Sequence, residues 1–112
     1  MTSPKGTADF CDEHGDELQI CEPVFRAYGG RHAFSGPIST VRCFEDNSRV
    51  KEAVESPGAG RVLVVDGGGS RRRALFGDKL GSAAVRNGWA GVIIHGCIRD
   101  SAELGRMDLG IR

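Results

Sequence analysis

There is no excess of charge of either sign in this chain: fifteen Lys and Arg residues face fifteen Asp and Glu. That balance argues against nucleic acid or an anionic membrane as the main partner. No apolar run approaches the roughly 20 residues needed to span a bilayer. Met1 to Gly6 lacks the apolar stretch of a secretion signal and reads as a disordered leader. The expected compartment is therefore the reducing cytoplasm. Cysteine is sparse, at positions 11, 21, 43 and 97, with no CxxC pair. Those spacings fit neither a zinc site nor a disulfide framework. Cys43 and Cys97 sit in apolar stretches and are expected to be small buried hydrophobes. With 112 residues the chain supports one domain with one modest core.

Glycine, in contrast, is abundant at 17 residues, against an average near 7%. Many positions should therefore need left-handed backbone or a close approach. Thr7 is a candidate cap for a short helix with Asp9, Asp12 and Glu13 near its positive end, stopped by Gly15. Residues 18–44 are irregular and β-rich, and two or three strands are expected there. Asp46-Asn47-Ser48 offers N-caps for a helix whose Val50, Ala53 and Val54 recur at helical spacing. Pro57-Gly58 ends it.

Arg61 to Asp66 and Gly91 to His95 are continuous apolar runs, which suits parallel strands buried on both faces. Leu80, Ala83, Ala84 and Asn87 mark one face of a helix between them. Residues 61–95 thus read as a βαβ unit with a right-handed crossover. A further helix is expected over about 100–107. The final Asp108 to Arg112 looks like the start of another strand, so the domain, taken as residues 7–112, is expected to lack C-terminal strands.

Ligands of open α/β sheets bind beyond the carboxyl ends of the strands. Three polar groups collect at that edge: Asp66-Gly67-Gly68-Gly69-Ser70, Gly77-Asp78, and Arg99-Asp100. A guanidinium grips a carboxylate in bidentate fashion. An aspartate is a hard oxygen ligand for Mg²⁺ or Mn²⁺, and magnesium keeps several waters, so one Asp is chemically sufficient. Backbone N–H groups of Gly77, Asp78, Lys79 and Leu80 near a helix start suit an anionic substrate end.

Simpler readings compete. Asp100-Ser-Ala-Glu103 has the form of a capping box. Arg99 alone reads as a surface ion-pair partner, and Arg71-Arg72-Arg73 as a solvated face or, alternatively, a run that binds phosphate or RNA. His95, at the end of a buried strand, reads as a satisfied core or rim histidine in preference to a base. His14 and His32 have no partner motif. Asp66 is either a supporting acid or a strand-end turn former. The Gly67–Ser70 loop lacks GxGxxG spacing and a Walker lysine, which argues against nucleotide binding.

Taken together, certain stretches resemble the RraA-like family of class II aldolases. They are Thr7-Ala-Asp9; Phe34-Ser-Gly36-Pro37-Ile-x-Thr40-Val-Arg42-Cys-Phe44-Glu-Asp46-Asn47; Val64-Val-Asp66-Gly67-Gly-Gly69-Ser70; Gly77-Asp78; Asn87-Gly88-Trp89-x-Gly91; and Gly96-Cys97-x-Arg99-Asp100. The resemblance implies a swivelling β/β/α-type α/β domain in a homotrimer. It implies a lyase that cleaves 4-hydroxy-4-methyl-2-oxoglutarate to two pyruvates and decarboxylates oxaloacetate, using a divalent metal cation. By the family's motif Arg99 binds substrate, Asp100 holds the metal, and Gly77-Asp78-Lys79-Leu80 binds substrate through its backbone. Glu103 matches an acidic position behind the pair, a supporting acid for the metal. Both reactions pass through a metal-stabilised pyruvate enolate. The base in the aldol reaction is either a metal-bound water or a side chain. Some family members carry a methyltransferase label, for which this chain shows no chemistry. Others regulate ribonucleases, so a non-catalytic ribonuclease-binding regulator is the second reading. An inactive remnant is the third.

Overall fold

The computed structural model describes residues 6–112, so five of the six leader positions lie outside the described residues. Four strands form one sheet in the order β1 (Ile38–Arg42), β2 (Val62–Asp66), β3 (Gly91–His95) and β4 (Gly110–Ile111). All three pairings are parallel, with Leu63 beside Val92 and Val92 beside Ile111. The helices are α1 (Thr7–His14), α2 (Ser48–Glu55), α3 (Asp78–Arg86) and α4 (Ser101–Leu104).

The βαβ unit forms as its residues dictate. Leu63, Val65, Val92, Ile94 and Ile111 point to one face and are buried against Val50 and Val54 of α2 and Leu80, Ala83 and Ala84 of α3. The two helices are tied by Asn87, whose Nδ2 donates to the Val54 carbonyl at 2.9 Å. At the amino end of the sheet, Trp89 is buried and its Nε1 donates to the Ser56 carbonyl at 3.1 Å, with the Arg61 guanidinium 4.9 Å from its ring centre.

Four expectations need correction. Burial on both faces holds only in part, because Val64 and Ile93, on the face away from α2 and α3, are half-buried. Over the β3–β4 edge that face is covered by Phe34, whose ring lies where side chains on the paired Gly91 and Gly110 would stand. Residues 18–44 supply one strand, not two or three. Instead, residues 28–31 run as a strap along the outer edge of β4. Tyr28 N–H donates to the Ile111 carbonyl at 2.9 Å and Gly30 N–H to the Met107 carbonyl at 2.9 Å. The side-chain cap at Thr7 does not form: Gly6 is the N-cap and Thr7 the first helical residue. Cys43 and Cys97 are half-buried rather than buried; burial, then the charges of Asp46 and Asp66, push the Cys43 thiol up. Among the described residues no helix is long and apolar enough to cross a membrane.

Candidate active site at the carboxyl edge of the sheet

The chain leaving β3 runs beside the chain entering α3, and backbone hydrogen bonds lock the two together. Leu75 N–H donates to the Cys97 carbonyl at 2.9 Å, and Arg99 N–H to the Phe76 carbonyl at 2.9 Å. The next rung uses a side chain: Asp78 N–H donates to Asp100 Oδ2 at 3.0 Å. A carboxylate on a free N–H at a helix start is favoured by both the hydrogen bond and the helix dipole.

Asp100 reaches that position through its backbone. It is left-handed, at φ 59° and ψ 40°, a conformation that costs a non-glycine residue on the order of 1 kcal/mol or more. A capping residue ordinarily has extended backbone. The left-handed turn instead directs the carboxylate away from its own helix, and α4 has no side-chain cap. The capping-box reading of Asp100 and Glu103 is thereby overturned; Glu103 is exposed. The helix expected over 100–107 shortens to Ser101–Leu104, followed by turns.

Gly77 makes the arrangement possible. A Cβ there would stand 2.8 Å from Asp100 Oδ2 and 3.1 Å from Arg99 Cγ and Nε. Arg99 Nε lies 3.7 Å from Asp100 Oδ2, with the Arg99 side chain 74% exposed and that of Asp100 33% exposed. Arg99, Gly77, Asp78, Lys79 and Leu80 all line a cavity of about 470 Å³. Asp100 is not among the residues that line it; its carboxylate is held on the Asp78 N–H and beside Arg99. Arg99 also borders a second cavity of about 600 Å³, shared with Phe25, Tyr28 and Arg112.

The remaining residues at this edge form a separate polar cluster. Asp66 Oδ1 accepts the Gly68 N–H at 3.0 Å, which makes it a turn former. It lies 3.8 Å from His95 Nδ1, while its Oδ2 lies 3.6 Å from Arg42 Nε. The Gly68 N–H first, then Arg42 and His95, hold the Asp66 carboxyl below the usual range. His95 is a rim histidine, 72% exposed at its side chain. Gly68 and Gly69 take the positive φ values that this turn requires, 68° and 73°.

Sequence reasoning missed Glu45, Asp46, Arg72 and Arg73 as lining of the same 470 Å³ cavity. The signal was present as a basic run and as the acidic residues after β1, but only the fold brings them to one cavity with Gly77. Among the described residues no three His, Cys, Asp or Glu side chains gather as a metal cage. A hydrated hard cation needs no such cage, since one carboxylate plus waters suffices. Asp100 fits that need: Oδ2 is used by Asp78 N–H, and Oδ1 accepts no hydrogen bond among the described residues.

Residues 7–112 match the model of the RraA-like family, described as Aldolase/RraA. The chain belongs to the RraA-like family. A provisionally named 4-hydroxy-4-methyl-2-oxoglutarate aldolase of Laribacter hongkongensis is 61% identical over 95% of this chain and 67% of its own length. A protein of the same name from Xanthomonas campestris is 60% identical over 94% of this chain and 63% of its own. Among solved structures, the RNA-processing inhibitor RraA of Thermus thermophilis superposes with a TM-score of 0.92 at 44% identity, covering 97% of this chain and 66% of that one. A Geobacillus kaustophilus structure titled a 2-dimethylmenaquinone methyltransferase gives 0.90 at 60% identity, over 96% and 66%. The chain thus spans about two thirds of the length of these RraA-like relatives. The α/β architecture with a parallel sheet is the RraA fold.

Proposed function

We propose that this RraA-like chain carries the site of a divalent-metal-dependent lyase acting on small 2-keto acids. Its substrate would be 4-hydroxy-4-methyl-2-oxoglutarate, cleaved to two pyruvates, with oxaloacetate decarboxylation as a second activity. The observation that carries the reading is the left-handed Asp100, whose carboxylate is turned onto the Asp78 N–H beside Arg99. Backbone strain on a charged residue persists where surrounding structure enforces it, and it concentrates at functional sites. Curated relatives that are 58–61% identical to this chain over the aligned residues and bear the aldolase name support the same reading.

Asp100 would hold the cation, Mg²⁺ or Mn²⁺, through Oδ1, with water completing the shell. When bound, the cation supplies Lewis-acid polarisation of the 2-keto oxygen. Arg99 grips the neighbouring carboxylate in bidentate fashion. Its guanidinium also offsets negative charge that develops as the bond between C3 and C4 breaks. N–H groups at the start of α3 orient the same anionic end. The assembly would be a homotrimer in the cytoplasm.

The test is pyruvate release from either substrate with Mg²⁺ and with chelator. Chelator should abolish it, and Asp100→Ala should lower turnover by about 100-fold or more. Turnover in Asp100→Ala equal to the parent would overturn the metal-holding role. A second reading, a regulator that binds a ribonuclease, is favoured by the likeness to the RNA-processing inhibitor. Capture of a purified ribonuclease by a chain that lacks lyase activity would select it.

A further inference from the structure

The irregular segment between β2 and α3, residues 67–77, buries the side chains of Leu75 and Phe76, each 1% exposed. Leu75 occupies a place that its neighbours leave open. Gly67 and Gly96 are the first residues past β2 and β3, and neither takes left-handed backbone. Their missing side chains serve space instead. A methyl on Gly67 would collide with Leu75 Cδ1, and one on Gly96 would stand 3.0 Å from the same atom. The leucine tip thus fills a slot at the carboxyl ends of the two central strands.

That slot lies at one end of the ladder that carries the site. Leu75 N–H donates to the Cys97 carbonyl at 2.9 Å. Three residues further along each segment, Asp78 N–H donates to Asp100 Oδ2 at 3.0 Å. The bond from Arg99 N–H to the Phe76 carbonyl, also 2.9 Å, stands between them. A slip of one residue along this ladder would take Asp78 away from Asp100. Backbone rungs alone do not exclude a slip, because one N–H or C=O serves as well as the next. A side chain that fits one slot does exclude it.

We propose that Leu75 is a positioning residue. Its tip, keyed between Gly67 and Gly96, sets the register of the chain entering α3 against the chain leaving β3. It thereby holds the Asp78 N–H on Asp100 and the pair beside Arg99. The consequence for turnover rests on the lyase reading of Arg99 and Asp100; the consequence for the rung does not. Valine fills much of the same volume but has no δ carbon to enter the slot. Methionine is unbranched and reaches it.

The experiment is amide hydrogen exchange of the chain, read residue by residue by NMR, beside Mg²⁺-dependent pyruvate release. Asp78 opens α3, where an N–H has no acceptor within the helix. Its protection therefore reports Asp100, and Asp100→Ala should remove it. Leu75→Val should speed exchange at Asp78 about tenfold or more, beyond the rise at β2 and β3 amides that follow global stability. It should also lower turnover about tenfold or more. Leu75→Met should restore both to within about threefold of the parent. Val54→Ala, a truncation on α2, should speed the strand amides and leave Asp78 within about twofold. Equal acceleration at Asp78 and in the strands in Leu75→Val, or none at Asp78, overturns the proposal. If Leu75→Val does not fold, Gly96→Ala presses on the same tip and decides the matter by the same readings. A freed Asp78 with parental turnover overturns the catalytic consequence alone. A parent chain without turnover, or parental turnover in Asp100→Ala, removes the lyase reading, and the exchange data then still decide the register.

Discussion

Replacing Gly77 by Ala separates the site from the fold. The backbone at Gly77 is extended, φ −147°, so alanine adopts it without strain. The cost is local. The new methyl would stand 2.8 Å from Asp100 Oδ2 and 3.1 Å from two Arg99 atoms, all in side chains that can swing outward. The Asp100 carboxylate must then leave the Asp78 N–H. A hydrogen bond to a charged group contributes about 1.5–3 kcal/mol, and screening at the partly exposed Asp100 discounts the loss below that range, to about 1 kcal/mol. Such a loss lowers Tm by roughly 4–8 °C. A misplacement on the order of 1 Å at a reacting centre costs about 100-fold in rate. The expected variant is folded, melts cooperatively a few degrees early, and has lost nearly all Mg²⁺-dependent pyruvate release. The assay pairs a thermal melt with that turnover. Parental turnover in Gly77→Ala would refute the claim that Arg99 and Asp100 act from their observed positions. An unfolded variant would refute the claim that only mobile side chains stand in the methyl's way.

Gly29→Ala should behave in the opposite manner. There the methyl would meet the Leu109 carbonyl and the Ile111 nitrogen, which are backbone and cannot rotate aside. The strap along β4 should detach, with a loss of about 1–3 kcal/mol, read as a lower midpoint in urea unfolding; an unchanged midpoint would show that the strap does not hold β4. Acid should weaken the fold in part through Asp66. Its folded pKa lies below the ordinary 3.8 because the Gly68 N–H, then Arg42 and His95, favour the charged form. The unfolded chain therefore binds the proton more readily. The stabilisation is complete above the ordinary carboxylate value and is lost as pH falls through the lowered one. Asp66→Asn should lower stability at neutral pH, where the carboxylate's contribution is complete, and flatten the stability profile below about pH 4; a slope equal to the parent's would remove that role.

Periodicity in the chain determined the βαβ unit. Val62 to Val65 and Gly91 to Ile94 are continuous apolar runs of strand length, and Leu80, Ala83 and Ala84 recur as a helix requires. Those patterns are local, set by burial of one face, and so they are readable without coordinates. The parallel order followed from the crossover helix, and the carboxyl edge of the sheet as the site followed from that order. Three things were decided only by tertiary structure. The first is the use of Asp100. Spacing alone made it a cap for its own helix, and only the rung to Asp78, across 22 positions of sequence, shows the left-handed turn that points it elsewhere. The second is residues 18–37, where weak β signals resolve into a strap because β4 offers a free edge and Gly91 and Gly110 leave room for Phe34. The third is Arg73, whose neighbours in sequence read as a solvated run. It becomes a cavity wall only because the Cys97 thiol and carbonyl hold the segment beside Arg99. In each case the deciding contact joins residues distant in sequence, and local propensity carries no record of it.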